Sequence, residues 1–230
     1  MSAGVLLVST ATRWLGTARI PRTLARAGFR VALLAPAGSL ALKSRYVADA
    51  GVVSDTAIPM EWLLALIRMV DRADPRWLIP CDEMAIRLLF TLVLDPPPRL
   101  AIEVRTRLAA LITASLGDPR FYAASIDKTL LPAAAEALGV RVPPYAIVAD
   151  VAAAVAFGEA RGYPVVVKRR YGFAGEGVEI VGTRDALRQA AQRLLRPDQL
   201  DLGEHLEPRL LVQAFIDGPH HSQALVASDG

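Results

Sequence analysis

The sequence holds a single cysteine, Cys81, among 230 residues. One thiol excludes an internal disulfide framework and any cysteine-rich zinc site, and it fits a reducing compartment. Long apolar runs are also missing. The best stretches, 62–70 and 88–94, fall far short of the ~18 residues a spanning helix needs, although mean hydropathy is +0.34. The amino terminus carries no basic segment ahead of its apolar run, so it does not read as a signal peptide. These absences predict a cytoplasmic protein with no membrane partner. Blocks of like charge are absent too, and 26 Lys plus Arg against 23 Asp plus Glu is too even a balance to imply a nucleic-acid partner.

Lysine is the scarcest of the charged residues. Three lysines, Lys43, Lys128 and Lys168, stand against 23 arginines. Lysine is a compact point charge with three donors, whereas arginine is a broad planar fork, so the sites that keep lysine merit a search for chemistry. The two common phosphate signatures are missing: no Gly-x-Gly-x-x-Gly follows the first apolar segment, and no Gly-x-x-x-x-Gly-Lys-Ser/Thr occurs.

What the chain does contain is ample apolar material, 53% of residues, with 21% charged. A chain of this size buries about 70% or more of its unfolded surface and needs no staples. Continuous apolar runs at 5–9 and 30–35 and a short one at 77–80 alternate with helical patterns over 17–27, 61–71 and 83–93. That alternation predicts an α/β doubly wound parallel sheet for residues 1–112. Pro96, Pro97 and Pro98 break the chain after it. The second half is punctuated differently. Helices are expected over 129–138, 151–161 and 184–195, and strands over 145–148, 165–169, 177–181 and 210–216, with Asp150 and Thr183 as caps.

One segment concentrates candidate chemistry. An apolar strand delivers Lys168 at its polar end, and a turn with Gly172, Gly175 and Gly177 follows. Glycines there permit positive φ and close backbone approach, so N–H groups can converge on phosphate oxygens; the simpler alternative is an ordinary glycine-containing hairpin.

Taken in order, Ile126-Asp127-Lys128, then Gly139-Val140-Arg141-Val142-Pro143, then Gly162-Tyr163-Pro164-Val165-Val166-Val167-Lys168, the glycine turn, and Leu211-Val212-Gln213-Ala214-Phe215-Ile216-Asp217-Gly218 resemble the ATP-grasp superfamily. Trp77-Leu78-Ile79-Pro80-Cys81-Asp82-Glu83-Met84-Ala85 is similar to the last strand and helix of the pre-ATP-grasp domain that precedes it there. The resemblance implies a pre-ATP-grasp domain over 1–112, an α+β ATP-grasp lobe over 113–209, and the start of a second lobe over 210–230. It implies that Lys128 and Lys168 contact the α- and β-phosphates of ATP and that the turn from Gly172 through Gly175 to Gly177 covers the β- and γ-phosphates. It further implies that Gln213, Ala214, Phe215 and Ile216 form a hinge reading the adenine edge, with Asp217 on the ribose. Gln213 stands where many relatives carry Glu, and Asp217 serves equally well as a turn residue.

Other candidates are read from position. Asp82 and Glu83 follow the carboxyl end of a strand, which suits either a substrate contact or the acidic first turn of a helix. Arg13 follows the first strand and could meet an acidic substrate, as could Arg19. Cys81 reads as a small buried residue rather than a nucleophile. His220 and His221 are adjacent, so on a strand they face opposite sides and do not make a joint metal site; His205 reads as solvated.

The implied function is that of an ATP-dependent carboxylate–amine ligase, with ATP and a small carboxylate-bearing substrate as partners and a homo-oligomer compatible with it. The alternative is a nucleotide-binding module without catalysis. In the resembling fold Mg²⁺ is held by acidic residues and a Glu-x-Asn group beyond the hinge strand, and 226–230 looks like a strand entering a hairpin turn. The sequence is therefore expected to be truncated, with its Mg²⁺ ligands and catalytic residues beyond residue 230 and the piece alone inactive.

Overall fold

The computed structural model describes residues 3–172, 175–196 and 207–219. Four strands, β1 (Gly4–Val8), β2 (Arg30–Pro36), β3 (Asp49–Val53) and β4 (Trp77–Pro80), form a parallel sheet in the order β3-β2-β1-β4. Val5 and Leu7 point into one core and Leu6 and Val8 into another, so β1 is buried on both faces. This is why its sequence reads as an unbroken apolar run. Helix α1 (Leu15–Arg26) covers one face. Helices α2 (Pro59–Ala73), α3 (Glu83–Leu94) and α4 (Ile102–Leu116) cover the other. The expected α/β parallel sheet is present, with one strand more than the periodicity showed. β3 escaped because its sequence, Asp-Ala-Gly-Val-Val, carries a weak pattern and only Val53 is buried.

The first core runs further along the chain than expected. The boundary anticipated after residue 112 falls inside α4, where Ile112 is fully buried. Beyond it, Tyr122 on the short helix α5 (Tyr122–Ile126) stacks on Phe90 of α3, ring centroids 3.8 Å apart, and donates its hydroxyl to Gly117 O at 2.8 Å. Stacking plus a satisfied hydroxyl is how a buried tyrosine becomes an anchor. Here it pins the approach to Lys128 onto the first sheet's helices.

After α6 (Leu131–Ala137), the second half builds an antiparallel sheet from β5 (Tyr145–Val148), β6 (Val165–Arg169), β7 (Val178–Val181) and β8 (Leu210–Ala214), in the order β5-β8-β6-β7. Helices α7 (Val151–Arg161) and α8 (Arg184–Leu194) pack on one face. Both begin on the expected caps: Asp150 Oδ1 accepts from Ala153 N at 2.7 Å and Thr183 Oγ1 from Ala186 N at 3.2 Å. Val165, Val167, Val181, Leu210 and Val212 fill the core beneath them.

The position of β8 is a correction. A strand over 210–216 was expected to open a further lobe. Instead β8 stops at Ala214 and lies between β5 and β6, its Leu210 and Val212 at 0% exposure. Both its edges are paired, with Val166↔Gln213 on one side and Tyr145↔Gln213 on the other. Leu210→Ala should therefore cost about 2–5 kcal/mol, the range for buried leucine truncation. Ile216→Ala, at a residue 63% exposed, should stay within about 0.5 kcal/mol. Urea denaturation of the two variants checks this, and equal midpoints would show that Leu210 adds nothing to the core.

Candidate functional site

Lys168 lies on β6, in register with Val178 on one side and Leu211 on the other. Residues paired across strands share a face, and alternate residues along a strand face opposite sides. Lys168, Val166, Leu211 and Gln213 therefore share the face turned away from α7 and α8, forming a mostly apolar floor with one cation and one amide. The hinge residues stand at the far end of this floor. Ala214 N donates to Pro144 O at 2.9 Å and Phe215 N to Pro164 O at 3.3 Å, while Ile216 and Asp217 are exposed. Because Ala214 pairs with Val165, the hinge and Lys168 are separated by roughly 10 Å, at ~3.3 Å per strand residue.

Lys128 reaches the same place from a different direction. It directly follows Asp127, a carboxylate at 2% exposure whose Oδ1 accepts from Thr129 N at 2.8 Å and Thr129 Oγ1 at 2.6 Å. The other oxygen, Oδ2, accepts from Arg170 Nε at 2.5 Å. Lys128 N also donates to Arg170 O at 2.9 Å. Two contacts thus weld the Lys128 segment to the end of β6. Sequence reasoning assigned no role to Asp127 or Arg170, although Asp-x-Thr is an Asx-turn signature that could have marked the first.

The two ammonium groups feel each other. The Lys168 side chain is held below the usual lysine range, first by burial and then by the neighbouring charge of Lys128. Among the described residues no carboxylate offsets either cause. A half-buried cation with a second cation beside it favours an anionic ligand, which would reverse both effects.

The glycines complete this end. Gly172 has φ +140°, and a Cβ there would sit 2.6 Å from Glu176 O. Its carbonyl accepts from Lys128 Nζ, and its N–H donates to Glu83 Oε1 at 2.7 Å. Gly175 and Gly177 have φ +83° and +70°, and Arg169 N donates to Gly177 O at 2.8 Å. The expected turn glycines therefore adopt the left-handed backbone that only glycine holds cheaply.

A cleft of about 530 Å³ opens beside Lys128 and Gly172, walled by Cys81, Glu83, Ile86, Ile126 and Leu131. Asp82 is oriented inward by its own bonding: it accepts from Ala85 N at 2.9 Å as the α3 cap, and from Ser9 Oγ, Thr10 N, Thr10 Oγ1 and Ala11 N at 2.7–3.2 Å. Its place is at the start of the helix, as cap rather than in the first turn, and its second task is to tie down the loop after β1. Glu83 instead reaches across to the second sheet, which sequence reasoning missed because the partner is a backbone N–H 89 residues away. Cys81 lines the cleft with its thiol pushed up to about 12, by burial first and then by Asp82, so it offers no thiolate. Arg13 and Arg19 are exposed, and neither borders the cleft. His205, His220 and His221 lie outside the described residues.

The Asp127 contacts generate a prediction. Removing one partner of a buried, hydrogen-bonded pair costs about 3–5 kcal/mol. Asp127→Ala should lower stability by that amount in chemical denaturation, well beyond Asp118→Ala, whose partner Arg120 is solvent-exposed. Equal losses would show that the Asp127–Arg170 weld carries no special weight.

Comparison with known proteins accords with this arrangement. Residues 127–230 match a family model described as the carbamoyl-phosphate synthase L chain, ATP binding domain. No curated protein matches the sequence significantly. Among solved structures, the chain is similar to an N5-carboxyaminoimidazole ribonucleotide synthetase in its ADP complex, with 13% identity and TM-score 0.62 over 94% of this chain and 47% of that one. It is similar to an L-amino acid ligase from Bacillus licheniformis, with 13% identity and TM-score 0.64 over 95% of this chain and 45% of the other. It is also similar to a biotin carboxylase from Campylobacter jejuni in a β-γ-ATP complex, with 16% identity and TM-score 0.61 over 94% and 46%. The chain thus spans less than half the length of these proteins. No helix among the described residues is long and apolar enough to cross a membrane. A parallel sheet followed by the four-stranded antiparallel sheet, and the family model over residues 127–230, agree with the resemblance of this sequence to the ATP-grasp superfamily.

Proposed function

We propose that the chain binds ATP as the nucleotide-binding part of a ligase that activates a substrate carboxylate. The observation that carries this is the half-buried Lys168 beside Lys128, next to Gly172, Gly175 and Gly177. In this reading Lys128 and Lys168 hold the α- and β-phosphates, and the glycine turn lies over the β- and γ-phosphates. The purine lies on the floor made by Val166, Leu211 and Gln213, with its edge against the backbone of Ala214, Phe215 and Ile216 and the ribose toward Asp217. The cleft walled by Ile86, Ile126 and Leu131 adjoins the phosphate end and gives room for a small carboxylate-bearing molecule.

The chemistry proposed for the whole protein is stepwise. A carboxylate oxygen attacks the γ-phosphorus, the bond to the bridging oxygen breaks, and ADP leaves with that electron pair. The acyl phosphate is then attacked by an amine, phosphate departs with the electron pair of the carbon–oxygen bond, the nitrogen gives up a proton to solvent, and an amide remains. Phosphoryl transfer of this kind depends on positioned cations rather than covalent help from the protein, and two lysines at one site fit that need. Mg²⁺ accompanies ATP in this reading. Among the described residues no group of three His, Cys, Asp or Glu side chains is placed to hold a metal.

Lys168→Met tests the site on two axes. Charge-assisted bonds to phosphate contribute ~1.5–3 kcal/mol each, so ATP affinity should fall about ten-fold or more by calorimetry. Stability should move the other way. A lysine whose folded-state pKa lies below its unfolded value of about 10.5 binds fewer protons folded than unfolded in that window. Stability therefore rises with pH between the two values, and the charged form costs stability at every pH below them. Methionine removes that cost, so the nucleotide-free variant should melt above wild type at neutral pH. Exposed Lys43→Ala should change neither property. Unchanged ATP affinity in Lys168→Met would remove this reading.

A further inference from the structure

Residues 1–48 contain no aspartate or glutamate, while six arginines and Lys43 fall within them. The whole chain is near balance at +3, so its positive charge is concentrated in this segment. The fold gathers part of that charge at one place. Arg22 and Arg26 are exposed on α1 and lie four residues apart, hence on one face of the helix. Leu24 and Ala25 between them pack against the core under α1, as does Val47, on the segment leading from the helical turn Leu40–Lys43 to β3. Val47 N donates to Ser44 O at 3.2 Å and Ala48 N to Val31 O at 2.8 Å, which ties this segment to its own turn and to β2. From it, Arg45 Nη2 donates to the Tyr46 hydroxyl oxygen at 3.1 Å, and the Arg45 guanidinium carbon stands 5.2 Å from the centre of the Tyr46 ring.

Nothing acidic answers these cations. Among the described residues no carboxylate forms an ion pair with Arg22, Arg26 or Arg45. Asp49, the first acidic residue of the chain, is taken by Arg72, which donates to it twice at 2.8 Å. The helix dipole accounts for Arg26 in the last turn of α1, but not for Arg22, since like charges four residues apart on a helix repel. The Tyr46 hydroxyl is held below the usual tyrosine range, above all by the bond from Arg45; burial opposes this, and the charges of Arg45, Arg22 and Arg26 add to it. Surroundings that favour negative charge on a phenol favour an anion beside it.

We propose that Arg22, Arg26, Arg45 and the Tyr46 hydroxyl form a binding site for a compact phosphate dianion, free or as the terminal group of a monoester, in addition to the ATP site and independent of it. Guanidinium groups meet phosphate oxygens two at a time. The Tyr46 oxygen already accepts from Arg45, which leaves its own proton to donate. Two negative charges offset the repulsion among three cations better than one carboxylate does. Convergence on a single hydroxyl suits a compact anion, whereas a nucleic-acid strand presents its phosphates in a row. None of the four residues borders the cleft beside Lys128.

Calorimetric titration of the 230-residue chain with inorganic phosphate and with methyl phosphate, at an ionic strength held constant with chloride, tests the site. Saturable binding should weaken about three-fold in Arg22→Gln, Arg26→Gln or Arg45→Gln and about ten-fold or more with all three combined, because exposed charge pairs contribute modestly one by one. Tyr46→Phe, which removes only the hydroxyl, should weaken it about three-fold. Arg68→Gln, at an exposed arginine of α2, should leave it unchanged, and so should Lys168→Met at the ATP site. Equal binding of the two phosphates supports the site with an ester as its natural ligand, and preference for inorganic phosphate supports it with the free ion. No binding of either by wild type, a triple variant that binds like wild type, a loss in Arg68→Gln equal to that in Arg45→Gln, or loss of binding in Lys168→Met would each overturn the proposal. Should duplex DNA bind through these arginines while both phosphates fail, the patch is a nucleic-acid surface and the proposal falls. Failure of the chain to bind ATP would remove the ATP reading and leave this site standing on its own titration.

Discussion

Keeping two ammonium groups side by side in a half-buried place is the constraint on which the site depends. Lys128 and Lys168 repel, and burial together with the charge of Lys128 disfavours the charged state of Lys168. The chain keeps them together through backbone fixation. Asp127 and Glu83 both act on main-chain or neighbouring groups: Asp127 on Thr129 and Arg170, Glu83 on the Gly172 N–H. The carboxylates hold the scaffold, and the lysine charges stand over it. An anion that enters meets donors already oriented, so little ordering is left to be done on binding.

The same constraint explains why the two sheets meet where they do. β4 ends at Pro80, Asp82 caps α3, and the first turn of α3 brings Glu83 to the second sheet. From the other side, Tyr122 stacked on Phe90 anchors α5, and Lys128 follows two residues after that helix ends. The first of these routes leads from the carboxyl end of a parallel strand. Crevices at such ends are where open α/β sheets place their ligands, and here that end is completed by an antiparallel sheet rather than by a further parallel strand.

Much of this was legible in the sequence, for physical reasons that differ by element. β6 and α7 were read with their observed bounds because a strand buried on its core face and an Asp-capped helix ending at glycine carry local signals. Gly172, Gly175 and Gly177 were readable because positive φ leaves few alternatives to glycine. The two lysines stood out only because arginine supplies nearly every other positive charge. What stayed hidden was non-local. The weak apolar pattern of β3 gave no strand signal, and no local pattern could show that β8 inserts between β5 and β6. That placement is decided by which strand edges are free once the chain has folded.

Glu83 shows the limit most clearly. In sequence it is one half of an acidic pair before a helix, and the helix dipole alone accounts for such a pair. The structure divides the pair. Asp82 takes the capping role and ties the loop after β1, spending both oxygens within its own sheet. With the cap already made, the next carboxylate can point outward without loss to the helix. Its reach to Gly172 then brings the start of α3 against the glycine that also bonds Lys128. One glycine, its N–H bonded to a glutamate of α3 and its carbonyl to a lysine, is where the parallel-sheet half and the antiparallel sheet come together.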